Sequence, residues 1–377
     1  MKSDPSVRSP LTAKSAAATS RSQRVVAMGG GTGLSTILRG FRRHVASPLG
    51  EQLGDKTENG DCRQQCPISN LAAVVNVTDD GGSSGRLRKD LKMLPPGDLR
   101  NCMVALSEDE HLISRLFQHR FKTGVGLRGH SFGNLFVAAL SEMTGDFAQA
   151  IKLSSQVLAT RGQIYPATIS NVSLVALMDD GSRVRGETRI SASKRRIVQL
   201  MLEPEKVEPL PETLDAIARA DLITIGPGSL YTSLITNLLV NGIPQALANA
   251  TGQRIFLCNL MTQANESLAL TASQHIEKIY EHAGQPIFDY ALVNTAPVPE
   301  TIRLRYAREG ARPIEPDVAR IEAMGIRCVS GEFAAEGDVL RHNADRVAET
   351  VLNIGLNAPM RSKTPPQMAA MLDPTSV

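Results

Sequence analysis

The chain has 377 residues, 42% apolar and 21% charged, with a net charge of +3, enough to bury one large core or two ordinary ones. Only 4% of residues are aromatic and none is Trp, which argues against a base-stacking platform for single-stranded nucleic acid. Positions 1–24 hold five basic residues and one acidic residue, leaving a near-neutral body with no basic stripe for DNA.

Residues 1–23 read as a disordered tail without the apolar segment of a secretory signal. No apolar run approaches the ~18 residues of a membrane span, so a cytoplasmic protein is expected. The odd set Cys62, Cys66, Cys102, Cys258 and Cys328 is widely spaced, which suits a reducing compartment. Cys62 and Cys66 have no second pair nearby and read as part of a surface loop rather than a metal site.

The apolar run Arg24–Met28 predicts a strand, and residues 33–43 predict the helix that follows. A polar stretch over 46–67 reads as a surface insertion before a strand at 71–77. Residues 103–121 and 133–143 carry apolar positions at helical spacing. The segment Asn171–Met178, the Asp179-Asp-Gly-Ser182 turn and Arg183–Glu187 predict a small antiparallel excursion. Strands at 221–225, 254–258 and 289–293 alternate with helical segments such as 266–283, and residues 358–377 read as a flexible tail. This alternation predicts one α/β domain over 24–357, with a mostly parallel sheet covered on both faces.

Ligands of open α/β sheets sit beyond the carboxyl ends of the strands. Five predicted strands end there in polar or glycine-rich sequence: 29–33, 78–85, 226–233, 259–263 and 294–295. Gly30, Gly31, Thr32 and Gly33 follow a strand and open a helix, a place where free backbone N–H groups attract an anion. They satisfy neither G-x-G-x-x-G nor a P-loop, so neither a dinucleotide fingerprint nor an ATPase is supported. Asp79 and Asp80 are candidates for Mg²⁺ or for ribose hydroxyls. Gly82, Ser83 and Ser84 behind them form a candidate N–H nest for phosphate, with Arg86 and Arg88 as an anion clamp. Asp98 reads equally as a helix cap or a site residue. His130 is a candidate acid/base or phosphate donor, Asn134 a site residue or a cap, and Gly228 and Ser229 mark a second anion turn.

Together, Gly29–Ser35, Asp79–Arg88, Leu94–Asn101, Gly129–Asn134, Gly226–Ser233 and Cys258–Gln263 resemble, in order, the YvcK family of the CofD-like superfamily. The resemblance covers about residues 24–350 and implies a modified Rossmann-like α/β fold that self-associates, with a homodimer expected. CofD-type relatives transfer a phospholactyl group to a deazaflavin alcohol, using a divalent metal at the acidic strand end. The YvcK branch is instead associated with cell shape and cell-wall synthesis on gluconeogenic carbon sources. It is similar to a sensor of UDP-sugars such as UDP-N-acetylglucosamine. On that likeness Tyr306 stacks on uracil and Arg341 meets the diphosphate. The expectation is a UDP-sugar-binding regulator whose partners are wall or shape-determining proteins; the alternative is a Mg²⁺-dependent phospholactyl-type transferase. The 46–67 insertion and both tails depart from the family pattern.

Overall fold

The computed structural model describes residues 22–46, 66–108, 112–263, 266–267, 269–335, 337 and 339–358. The bulk of the 46–67 insertion, with Cys62, lies outside the described residues, as do most of both tails.

In chain order the elements are β1 (Gln23–Gly29), α1 (Gly31–Arg42), β2 (Ile68–Val75), α2 (Gly82–Leu91), α3 (Gly97–Leu106), α4 (Leu112–Gln118), α5 (Phe132–Thr144) and α6 (Phe147–Val157). Then come β3 (Gln163–Pro166), β4 (Ser173–Met178), β5 (Arg183–Arg185), α7 (Glu187–Ala192), β6 (Ile197–Glu203), α8 (Pro211–Arg219) and β7 (Leu222–Ile225). A π-helical segment, Leu230–Ile235, runs into the short helix Thr236–Leu238. The remainder is α9 (Ile243–Asn249), β8 (Gln253–Leu257), α10 (Ala272–Ala283), β9 (Tyr290–Asn294), α11 (Glu300–Ala307), α12 (Val318–Ala323), β10 (Arg327–Gly331), β11 (Ala334–Ala335), β12 (Arg341–His342) and α13 (Ala344–Asn357).

Seven strands form one sheet in the order β10-β9-β8-β7-β1-β2-β3, and every pairing in it is parallel. Such strands are covered on both faces and so read as near-continuous aliphatic runs. Val25 to Met28, Leu71 to Val75 and Leu222 to Ile225 fit that rule, all of them buried. The chain builds outward from β1 to β2 and β3, then returns to lay β7 on the other side of β1. The loops after β1 and β7 therefore diverge, which makes this the topological switch point.

The predicted antiparallel excursion is present: β4 pairs with β5 across the 179–182 turn, and β6 adds a third strand. Its buried Leu174 and Ala176 join the same hydrophobic core as the large sheet. Three expectations change. The 103–121 region divides into α3 and α4. The 266–283 helix begins only at Ala272, where Thr271 and Gln274 form a capping box. The Gly/Ser turn at 82–85 is the first turn of α2.

At the amino-terminal ends of the strands, one device occurs twice. Asp221 accepts from the backbone N–H, Nε and Nη2 of Arg24 at 2.9, 3.0 and 3.0 Å. Asp289 does the same for Arg254 at 3.0, 2.9 and 2.8 Å. These bidentate pairs tie β7 to β1 and β9 to β8 on the edge away from the switch point.

Candidate functional site

Three of the five polar strand ends, those after β1, β7 and β8, meet in a cavity of about 460 Å³, within the usual range for small-ligand sites. Its floor is Gly30, Gly31, Thr32 and Gly33, with Gly228 and Ser229 opposite, Asn259 to Gln263 alongside, and Tyr306 and Leu340 to His342 closing the rim. The 294–295 end lines a neighbouring pocket of about 150 Å³ that shares Asn259 and Leu260 with it.

Close approach of the two diverging loops depends on Gly33. A Cβ there would sit 2.2 Å from the Pro227 carbonyl oxygen. Gly30 caps α1 without any side-chain acceptor, and of the first-turn N–H groups at the cavity that of Gly31 donates to the Asp98 carboxyl. Gly228 lines the cavity with its backbone already engaged. Its N–H donates to Asn259 Oδ1 at 3.0 Å, and Asn259 Nδ2 donates back to the Gly228 carbonyl at 2.7 Å. The Gly228 backbone is thus a fixed wall rather than a free donor. Ser229 Oγ accepts from Gln263 Nε2 at 3.0 Å. Ser233 and Leu234 both donate to the Ser229 carbonyl at 3.0 Å, which widens the following turn into the π-helical segment.

His342 Nε2 lies 3.0 Å from the Cys258 carbonyl. A carbonyl only accepts, so this nitrogen carries the proton. Burial pulls the His342 pKa down to about 4, and the ring stays neutral at physiological pH. Arg341 is exposed on the rim and makes no ion pair among the described residues.

The other predicted residues form a separate polar region at the end of β2. Asp79 Oδ1 accepts from the Gly81 N–H at 2.9 Å. Asp80 Oδ1 takes both the N–H and the hydroxyl of Thr188, at 2.9 and 2.6 Å, and so holds the start of α7. The two carboxylates serve different partners, and among the described residues no group of three or more His, Cys, Asp or Glu side chains is placed to hold a metal. Arg88 is committed internally: its Nε and Nη2 donate to Asn171 Oδ1 at 3.2 and 2.8 Å, and its Nη1 and Nη2 to the Thr78 and Val172 carbonyls. Arg86 Nη2 donates to the Arg128 carbonyl at 2.8 Å. Arg88 thus braces the loops at 78 and 171–172.

Asp98 is not the cap of α3, whose N-cap is Pro96. Its carboxyl lies behind the glycine loop, 2.9 Å from where a Cβ on Gly30 would stand. Burial and the Asp79 charge raise its pKa to about 6, against the opposing hydrogen bond from the Gly31 N–H. Glu187 joins this acidic group. It is pushed well above the usual carboxylate range by burial, then by Asp98 and Asp79, while the Thr78 hydroxyl donates to it at 2.9 Å. Nothing local in the sequence marks Glu187, which begins a short helix over a hundred positions after Thr78. Asn259 was legible only as part of a polar strand end.

Ser83, His130 and Asn134 are brought together. Ser131 caps α5, so Asn134 is not the cap, and its side chain turns to Ser83. Ser84 is buried beside Gly97, and Gly82 is exposed at the start of α2. None of Gly82, Ser83, Ser84 and Asn134 lines the switch-point cavity.

The family model described as 2-phospho-L-lactate transferase CofD matches residues 25–334. The gluconeogenesis factor of Halalkalibacterium halodurans is 44% identical over 333 residues, covering 88% of this chain and 96% of that one. The gluconeogenesis factor of Bacillus subtilis is 42% identical, covering 88% and 98%. A crystal structure of a UPF0052 family member from Bacillus halodurans superposes with a TM-score of 0.80 at 44% identity, over 88% of this chain and 99% of that chain. Matched along nearly the whole length of these relatives, with its glycine loops at the switch point of the parallel sheet, the chain belongs to the CofD family and, within it, to the gluconeogenesis factors.

Proposed function

We propose that this gluconeogenesis factor is a UDP-sugar-binding regulator of cell morphogenesis and cell-wall synthesis during growth on gluconeogenic carbon. It acts in the cytoplasm as a homodimer, on wall or shape-determining proteins. The observation that carries this reading is the convergence of the β1, β7 and β8 loops on one cavity with Arg341 and Tyr306 at its rim. The exposed first turn of α1 faces a diphosphate with N–H groups and the positive end of its dipole. Arg341, with no carboxylate partner among the described residues, supplies the balancing charge. Tyr306 offers a ring to the base, and Asn259 and Gln263 hold the far wall still.

The absence of a membrane-crossing helix among the described residues accords with this reading. It needs no chemical step. Isothermal titration with UDP-N-acetylglucosamine tests it: saturable heat is expected, and folded protein giving none at millimolar ligand overturns it. The transferase alternative draws on Asp98, whose pKa of about 6 beside Gly31 suits a proton acceptor. Product analysis with a phospholactyl donor and a deazaflavin alcohol separates the two.

A further inference from the structure

The segment 341–343 is pinned from three sides. β12 pairs antiparallel with β11, which sets His342 opposite Ala334. The Asn343 N–H donates to the Phe333 carbonyl at 2.7 Å, and the Asn343 side chain caps α13 by accepting from the Arg346 N–H at 3.1 Å. The His342 ring is then tied to the end of β8 by its 3.0 Å contact with the Cys258 carbonyl. That contact makes Nε2 the donor, because a carbonyl only accepts.

No carboxylate among the described residues lines the cavity, whereas Arg341 and the first turn of α1 do. These surroundings give a second proton on His342 no support, in keeping with its lowered pKa of about 4. A neutral imidazole with its proton on Nε2 carries a lone pair on Nδ1. Nδ1 has no protein partner among the described residues, and unlike Nε2 of His275 it is not sealed inside the protein. His342 itself lines the cavity. The fold thus holds a hydrogen-bond acceptor on the cavity wall, in a ring that cannot swing freely. Its neighbours are of opposite character. The α1 N–H groups and the Arg341 guanidinium are donors, which suit phosphate oxygens. An ionised diphosphate has no hydrogen to offer Nδ1.

We infer that His342 is a specificity residue of the switch-point cavity, its Nδ1 accepting a hydrogen bond from an N–H or O–H group of the bound nucleotide sugar. The inference rests on the UDP-sugar reading above. The uracil imide N–H and a sugar hydroxyl both meet the chemistry. A ligand without a donor at that place leaves the acceptor unpaired as the cavity loses water, and is disfavoured for that reason.

Nitrogen-15 NMR of the full chain, with and without UDP-N-acetylglucosamine, tests the contact directly. A neutral ring protonated on Nε2 is expected, with the Nδ1 resonance moving on saturation as its lone pair takes a hydrogen bond. A ring protonated on Nδ1 overturns the inference. So does an Nδ1 signal that the ligand leaves unmoved while calorimetry shows binding, and that outcome spares the UDP-sugar reading. Absence of binding overturns both. Two variants separate the ring nitrogens, since a Gln amide reaches the place of Nε2 and an Asn amide that of Nδ1. His342→Gln keeps a donor for the Cys258 carbonyl and gives up the acceptor, so affinity should fall about tenfold with little change in melting temperature. His342→Asn keeps an acceptor and gives up the tie to β8, so it should melt lower yet bind more tightly than His342→Gln. Equal affinity of the parent protein and His342→Gln contradicts the assignment. An N3-methyluracil analogue of the ligand identifies the donor. A loss of affinity in the parent protein that His342→Gln does not show assigns the imide. An effect of the methyl group that is the same in both proteins, with the Nδ1 response retained, assigns a sugar hydroxyl.

Discussion

Arg341 and Asp98 make opposite demands on charge. Arg341 is exposed and its side chain makes no ion pair among the described residues, so Arg341→Ala should leave the melting temperature unchanged while weakening UDP-N-acetylglucosamine by at least about tenfold, the scale of one charge-assisted contact. Calorimetry on both proteins checks this, and equal affinities would remove Arg341 from the site. Asp98 instead carries a carboxyl whose folded-state pKa, about 6, lies above its ordinary value of 3.8. The native state therefore binds a proton more tightly than the unfolded chain, and stability falls as pH rises from about 4 to about 6. With Asp98 partly accessible, the loss is on the order of 2 kcal/mol. Asp98→Asn should flatten that part of the denaturation profile and leave the protein at least as stable at pH 7.5. A variant with the same slope as the parent would place the titration elsewhere.

Among the elements, the strand-end arginine pairs allow a comparison within one molecule. The Arg254 side chain is 5% exposed and the Arg24 side chain 44%. Removing Asp289 strands a buried charge, whereas removing Asp221 leaves one that water can solvate. Asp289→Ala should cost about 3–5 kcal/mol and Asp221→Ala about 1 kcal/mol or less, read from urea midpoints. The β1–α1 turn is less tolerant still. A methyl on Gly33 has no room beside the Pro227 carbonyl, so Gly33→Ala must separate the loops after β1 and β7. Loss of nucleotide-sugar binding together with lowered stability is expected, and full binding by a stable Gly33→Ala protein would show that the loops need not touch.

The whole molecule shows what a linear reading catches and what it misses. β1, β2, β7, β8 and β9 were legible because strands buried on both faces become runs of Val, Ile, Leu and Ala. β3, at four residues and ending in Pro166, and the half-exposed β10 carry no such run. α2 was hidden because Gly82-Ser-Ser-Gly85 has the composition of a turn, and helix there depends on packing rather than propensity. In the site, the glycine loops announced themselves by position after strands. Their division into two regions did not, because Arg88, Asp80 and Asn134 find partners 34 to 108 positions away, which only the fold can arrange. Hydrogen exchange should display this division: UDP-N-acetylglucosamine is expected to protect 30–33, 259–263 and 340–342 while leaving 82–88 unchanged. Protection confined to 82–88 would move the nucleotide to the end of β2.

The cavity wall also has a temporal meaning. Its floor is made at residues 30–33 and its rim at 340–342, within about a turn of α13. A nascent polypeptide still held in the ribosomal tunnel at that stage has the floor without the rim. Any molecule that needs both surfaces can engage a copy only once the segment at 340–342 has emerged and folded against 30–33.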